Sequence, residues 1–492
     1  MPAPLLVAMA AAILASTPAA AAAPQVPWAE AGGAAAGSAP GGSPKAAPSP
    51  DLPAAPGAAG APTPSRRYVI EEIRLLGLEH TRPSEVRRRL EVAEGEVLDE
   101  EAVLLSRLRL LQLGWFAAVD TRVEKGSERG LVVLVFDCTE RNTLIVSDLV
   151  LGSTGPQPVY GGFGLSQGNF LGLGLVLSGA FVYGGPPAEQ PLAPARFAIR
   201  AAFDDPDLAV GGQRLVVGLS GLVLRGEEFT CSDPSCSLYQ GGYGGAPRLR
   251  YRRAGGEVHA GIRPGPFERL VAGFRLERVS AERVAGDGRD PGTEGPNLHL
   301  GTSVLTALTA AYDRDTRNDP FLATDGTRLL VNLVLGSQAL GGDYEYVRAL
   351  LQLETDHALW RGHALKLLGA AGAVQGDAPF FERFYAADFA YFSIGPALGR
   401  ALELNFSTDS RYDAYLALLG AEYGVPLWAS KGSFFHRGYL AFGARWLFTS
   451  ARAKAARTPA SRAPFSGDVA LRLDTTVGSF NLSLGYALDN FL

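Results

Sequence analysis

The chain has 492 residues, more than one ordinary domain holds, and its 19% charged residues are sparse for a fully solvated surface, so at least two units in different surroundings are expected. A net charge of −5 gives no general basic field and argues against nucleic acid as a partner. Three cysteines exclude a disulfide-dense scaffold.

Residues 1–23 hold an apolar stretch from Leu5 to Leu14 followed by small Ala-x-Ala residues, the pattern of a cleaved secretory signal. The usual positive n-region is missing, since the first basic side chain is Lys45. Residues 24–65 are Ala, Pro, Gly and Ser, with too little bulk to offset the entropy of ordering, and read as a linker. Beyond the signal no uncharged apolar run reaches membrane-helix length, so any bilayer span must be a closed β-barrel.

From residue 66 to 142 the pattern reads strand, helix, helix, strand, strand. Tyr68 to Leu78 is a strand closing at Gly77, and Thr81 with Pro83 opens a short helix. Asp99 caps a second helix whose apolar face is expected from Val103, Leu104, Leu108 and Leu111, and Gly114 stops it. Two strands follow, Ala118 to Glu124 and Leu131 to Cys138. This βααββ order, with Gly77 in the opening strand and Gly114-Trp115-Phe116 at the helix exit, resembles a POTRA domain.

Residues 143–492 alternate apolar and polar side chains in long runs. The best example spans Thr306 to Leu335, where Leu329, Val331, Leu333 and Leu335 share one face, and Arg328, Leu330, Asn332 and Val334 the other. Short turns such as Gln167 to Gly172, Asp204 to Gly212 and Asp313 to Gly326 alternate with long loops, as in a barrel with turns on one side of the membrane and loops on the other. The expected fold is an all-β transmembrane antiparallel barrel of about 16 strands, with 14 as the runner-up, behind one small α+β domain. A walk along the pattern gives about 15, and the segment from Ser237 to Arg263 is where a faint strand would hide.

The turn carrying Asp313, Arg314, Asp319, Pro320, Asp325 and Gly326 resembles a periplasmic turn of the BamA/TamA-type outer-membrane assembly family. Ser166 to Gly174, Asp204 to Gly212, Glu382-Arg-Phe-Tyr385 and Ala421 to Leu427 resemble further stretches of that family, in order and at similar spacing. The family's lid loop usually carries an Arg-Gly-aromatic tip, which pairs with acids on the barrel wall. Here Ala386 to Pro396 has no Arg-Gly; Arg383 and Arg400 are the candidate substitutes for the charged plug, the plainer reading being that both are solvated lumen residues.

No HExxH, nucleophile elbow or dinucleotide fingerprint accompanies the six histidines or the glycine clusters, so neither an enzyme nor a cofactor or metal is expected. Asp313, Asp315 and Asp319 are read as a solvated mixed-charge turn rather than a metal site. Cys231 and Cys236 are close enough to close a small disulfide loop, leaving Cys138 as a buried strand residue.

The resemblance implies a Gram-negative outer-membrane protein with its POTRA domain in the periplasm, inserting or translocating other proteins. Its partners would be the bilayer, unfolded barrel proteins or an exported polypeptide, and periplasmic or lipoprotein subunits. A passive pore or receptor and a two-partner-type secretion pore are the alternatives. A seam between the first and last strands is expected around Ser147, Ser483 and Gly485.

Overall fold

The computed structural model describes residues 68–152, 159–186, 194–210, 213–229, 248–284, 297–319, 322–385, 412–430, 434–450, 465–475 and 478–487. The expected leader and linker, together with Cys231, Cys236, Pro320 and Arg400, lie outside the described residues.

The N-terminal domain follows the expected order: β1 (Val69–Leu76), α1 (Pro83–Arg87), α2 (Glu100–Gln112), β2 (Phe116–Lys125) and β3 (Leu131–Glu140). Its sheet runs β1-β3-β2, with β3 central, parallel to β1 and antiparallel to β2. Asp99 caps α2 by accepting from the Glu101 amide at 3.0 Å, and Gly77 and Gly114 take left-handed φ of +73° and +71° to turn the chain. The helices pack on one face of the sheet over Ile70, Ile73, Val86, Leu110, Phe116, Leu134 and Phe136. The buried face of α2 matches the expected one in part, with Val103 and Leu111 packed against the core. Ser106, Arg109 and Leu110 point inward while Leu104 is 52% exposed, because α2 carries leucines around much of its circumference and the sheet, not the leucine spacing, selects the face.

Fifteen strands form the second unit's sheet among the described residues. In chain order they are β4 (Leu144–Gly152), β5 (Tyr160–Phe170), β6 (Leu175–Gly184), β7 (Arg196–Val210), β8 (Gln213–Phe229), β9 (Arg248–Ile262), β10 (Glu268–Val284) and β11 (Gly301–Asp315). Then come β12 (Gly326–Gly336), β13 (Tyr346–Ala358), β14 (Ala364–Gly376), β17 (Tyr415–Ala429), β18 (Phe435–Ser450), β19 (Phe465–Thr475) and β20 (Gly478–Ala487). A two-stranded piece, β15 (Phe384–Tyr385) with β16 (Tyr412–Asp413), sits between β14 and β17. Each strand of the large sheet pairs antiparallel with its sequence neighbour, β14 with β17 across that piece. The faint segment at 237–263 contains β9.

Two expectations change. The even strand number is not reached among the described residues, where fifteen strands pair, the number the sequence pattern itself gives. The reversal expected over Asp204 to Gly212 is mostly strand: β7 runs to Val210, and the Asp-Pro pair sits in an irregularity between Asp205 and Leu208, since Pro lacks the ladder donor.

On β12 the two faces separate as the alternation predicts. Leu333 and Leu335 are exposed outward while Val334 is buried and Arg328 bonds Asp313 inside. Leu308, Val347, Leu353, Leu367, Leu419, Phe442 and Val469 extend the outward apolar band around the sheet, the surface a transmembrane barrel gives to lipid. No described helix is long and apolar enough to cross a membrane.

Candidate functional site

The barrel mouth beside the N-terminal domain is called proximal here, and the opposite one distal. Beyond β14 the chain turns into the distal lumen instead of away from it. Phe380, Phe381 and Phe384 are all buried, each burial stabilising by about 1.5–3 kcal/mol. Tyr251 meets Phe380 edge-on with ring centres 5.1 Å apart, and the Arg253 guanidinium lies 3.6 Å over Phe381. Gly372 on β14 makes room for this segment, since a Cβ there would fall 2.3 Å from the Phe384 ring.

Glu382 is 2% exposed and accepts a hydrogen bond from Arg275 of β10, which also donates to the Tyr346 hydroxyl at 2.9 Å. Arg275 lies 3.7 Å from Glu277, and Glu277 accepts from Arg253 at 2.9 and 2.7 Å. The series Glu382, Arg275, Glu277, Arg253, Phe381 therefore begins and ends on the lid. The sequence offered Arg383 or Arg400 as the charged plug, but Arg383 makes no ion pair among the described residues. In the described part of the lid the lid supplies the acid, Glu382, and the wall the base, Arg275, while Arg400 lies outside the described residues. The unusual run Pro379-Phe-Phe-Glu382, apolar in a supposed surface loop, was the signal available in the sequence.

At the proximal mouth the N-terminal domain is seated on the turns. Trp115 donates from Nε1 to the Gly168 carbonyl at 2.9 Å, with the fully buried Arg89 stacked over its ring at 4.6 Å. Asn169 donates to Thr81 Oγ1 at 2.9 Å, and Arg214 donates to the Arg88 carbonyl at 2.6 Å. Asp207 sits 3.3 Å from Arg89 and 3.7 Å from Arg109, inside a junction cavity of about 250 Å³. Burial lowers the Arg89 pKa, and burial together with Arg109 brings Arg263 down to about 10. Gly77, Gly114, Trp115 and Phe116 thus lie in the N-terminal domain as expected, with Trp115 also forming the dock. Arg89 hydrogen-bonds Glu85 one turn before it, but its role in the dock carried no sequence signal, because Asp207 comes from the distant barrel.

The family-like turn is ordered from within. Asn318 donates its amide to the Asp325 carbonyl at 3.0 Å, and its side-chain oxygen accepts from Thr324 at 3.1 Å and Asp325 at 3.3 Å. Asp313 accepts from Arg269 and Arg328, each at 3.1 Å, while Arg314 is outward and 3.9 Å from Glu268. Gly326, at φ +113°, closes the turn against Thr316 and Arg317. Arg317 binds Asp315 at 2.9 and 2.8 Å and Glu354 of β13 at 2.9 Å; burial opposes its charge, yet these acids hold its pKa above the ordinary value. Gln112 at the end of α2 donates to the Asp315 and Arg317 carbonyls at 3.1 and 2.8 Å.

The seam residues fall on the edge strands, Ser147 on β4 and Ser483 with Gly485 on β20. These strands approach within 8 Å, Cα to Cα, but are not paired among the described residues. An odd antiparallel series sends its first and last strands in the same direction.

A small α+β domain docked on a transmembrane antiparallel barrel, with a lid segment folded into the distal lumen, defines the class of POTRA-bearing membrane barrels. Residues 169–490 match the Omp85 superfamily domain, and residues 68–141 match the POTRA family described as the surface antigen variable number repeat. The chain belongs to the Omp85 superfamily. Membership supports an outer-membrane location with the POTRA domain periplasmic. It is 23% identical over 328 residues to the outer membrane protein assembly factor BamA of Nitratidesulfovibrio vulgaris, a match covering 65% of this chain and 37% of that protein's length. Among solved structures, CdiB from Escherichia coli is similar at a TM-score of 0.55 and 12% identity, over 86% of this chain and 73% of that one. BamA from Haemophilus ducreyi lacking POTRA domains 1–3 gives 0.47 at 17% identity, over 87% and 82%.

Proposed function

We propose that the protein inserts or translocates other polypeptides at the outer membrane of a Gram-negative bacterium, and that the seam between β4 and β20 is its working part. The observation that carries this reading is the pair of sheet edges: among the described residues fifteen strands leave two edges running the same way and close together. One strand running opposite to both, from a client or from a chain segment outside those described, would pair antiparallel with each edge at once. In lipid the unpaired edge groups favour acceptance of such a strand. No cofactor or enzymatic step is required, and periplasmic or lipoprotein subunits would deliver clients to the POTRA domain. The similarity to the assembly factor supports the reading.

Depletion followed by a census of the outer-membrane proteome tests it. Broad loss of barrel proteins, or loss of one exported polypeptide as for a two-partner-type secretion pore, is the expected result. An unchanged census alongside simple channel conductance would make the protein a passive pore and overturn the proposal.

A further inference from the structure

The outward face of the barrel changes character at its distal margin. Along β9 the outward positions run from Ile262 through Val258 and Ala254, all exposed, to Arg252 and Arg250. Ile262 to Arg252 is ten residues, which at about 3.3 Å per residue and a tilt of about 40° rises about 25 Å, the height of a transmembrane apolar band. Arg252 therefore stands at the far edge of that band, and with the POTRA domain periplasmic this edge meets the outer leaflet.

Two more arginines share the place. Arg225 on β8 pairs directly opposite Arg252, and Arg278 on β10 lies diagonal to Arg252, opposite Ala254. Leu224, Tyr251, Arg253, Glu277 and Val279, their chain neighbours, are buried inside the barrel, so all three arginines face outward. Other arginines of the wall have acids: Arg253 has Glu277, Arg437 has Asp319 and Asp474, and Arg250 has Glu282 at 3.1 Å. Arg225, Arg252 and Arg278 make no ion pair or side-chain hydrogen bond among the described residues, and Arg225 Nε is buried without an acceptor. Like charges directly opposite on neighbouring strands oppose the pairing, and an anion laid across them reverses that effect.

The surface beneath is shaped for apolar chains. Ala201, Gly221 and Gly256 lie side by side across β7, β8 and β9, a row with almost no side chain. Exposed Ile199 and Val223 stand on its distal side, and exposed Leu219, Val258 and Phe274 on its proximal side. Phe197 pairs opposite Arg225 and Tyr183 opposite Phe197, setting two aromatic rings at the height of the arginines, where the interface of a membrane barrel is found.

We propose that the β8–β10 face binds a phosphorylated glycolipid of the outer leaflet, with its phosphates on Arg225, Arg252 and Arg278 and its acyl chains along the depression below. Guanidinium forks match phosphate oxygens. The three arginines span two inter-strand spacings, about 10 Å, which fits two phosphates held apart on one headgroup rather than a single phosphodiester. These strands lie near the middle of the sheet, away from its two edges, so a lipid held here leaves the edges free. The site rests on the outer-membrane placement and not on the handling of polypeptides.

Native mass spectrometry of the full chain, released from non-ionic detergent after titration with bisphosphorylated lipid A, tests the site. The parent should retain the lipid, and the triple variant Arg225→Gln, Arg252→Gln, Arg278→Gln should bind it at least about tenfold more weakly. Removing as many charges from the POTRA surface, with Arg82→Gln, Lys125→Gln and Arg129→Gln, should leave binding unchanged. Monophosphorylated lipid A should bind more weakly than the bisphosphorylated form, and phosphatidylglycerol and inorganic phosphate more weakly still. The heat-modifiable gel shift reports folding of each variant, and the single variant Arg252→Gln carries the same test, with a smaller loss, if the triple one fails to fold. Equal binding by the parent and a folded variant would overturn the site. Equal binding of phosphatidylglycerol or inorganic phosphate by the parent would overturn the glycolipid as its ligand.

Discussion

Glu382 is buried against Arg275, which also lies beside Glu277, and the Glu382 charge would not be tolerated there without that arginine. Glu382→Ala should therefore destabilise the folded barrel by on the order of 3 kcal/mol, seen as a lower midpoint of the heat-modifiable gel shift, with Glu382→Gln milder. The exchange Glu382→Arg with Arg275→Glu should recover part of the loss; a midpoint unaffected by Glu382→Ala would contradict the lid geometry. Cys138 is a second buried group, 2% exposed, whose thiol is pushed up to about 12 chiefly by burial. It should resist maleimide at mildly alkaline pH and react on denaturation, and rapid labelling of the folded protein would show that β3 is not packed as described. At this scale the sequence revealed what local chemistry controls. Asp99 beside a helix start and Gly77 after a strand announce a cap and a turn without reference to anything distant. Glu382 did not announce its role, since its partner lies 107 residues away.

Strands were legible as elements because their period of two is written in the side chains, as on β12. Their ends were less so, since the Asp-Pro irregularity in β7 has the composition of a turn but the pairing of a strand. The face of α2 was obscured because its leucines mark no single stripe, leaving the choice to the sheet beneath. At the end of β3, Glu140 accepts from the His80 and Thr81 amides at 2.9 and 2.8 Å and ties the segment before α1 to the sheet. Partial burial raises its pKa, but the hydrogen bonds from Thr81 and His80 outweigh that and hold it below the ordinary 4.5. A depressed folded value means that the clamp stabilises fully above the unfolded value and is lost as pH falls through the folded one. Exchange of the His80 and Thr81 amides, corrected for intrinsic rates, should therefore rise as pH drops below about 4. A flat profile down to about pH 2 would remove Glu140 from that role.

Over the whole molecule, the order of POTRA domain and barrel was legible because each part carries its own periodicity, and family-like turns punctuate the second part. What joins the parts was not. Trp115, Arg89, Asp207 and Gln112 make the dock through partners supplied by folding. The even strand number rested on placing both the POTRA side and the C-terminus in the periplasm, whereas the period-two pattern itself gives about fifteen, the number paired among the described residues, where the two edges lie adjacent but are not paired. The central claim is that this unpaired place is where polypeptides are handled. The most direct measurement pairs Ser147→Cys with cysteines at Asn481, Ser483 or Gly485, in a background with Cys138, Cys231 and Cys236 replaced by Ser, and follows crosslinking and client assembly in the same cells. The account predicts crosslinking in at least one register, a barrel that stays folded, and arrested client assembly that reduction restores. Efficient crosslinking with normal client assembly would contradict it.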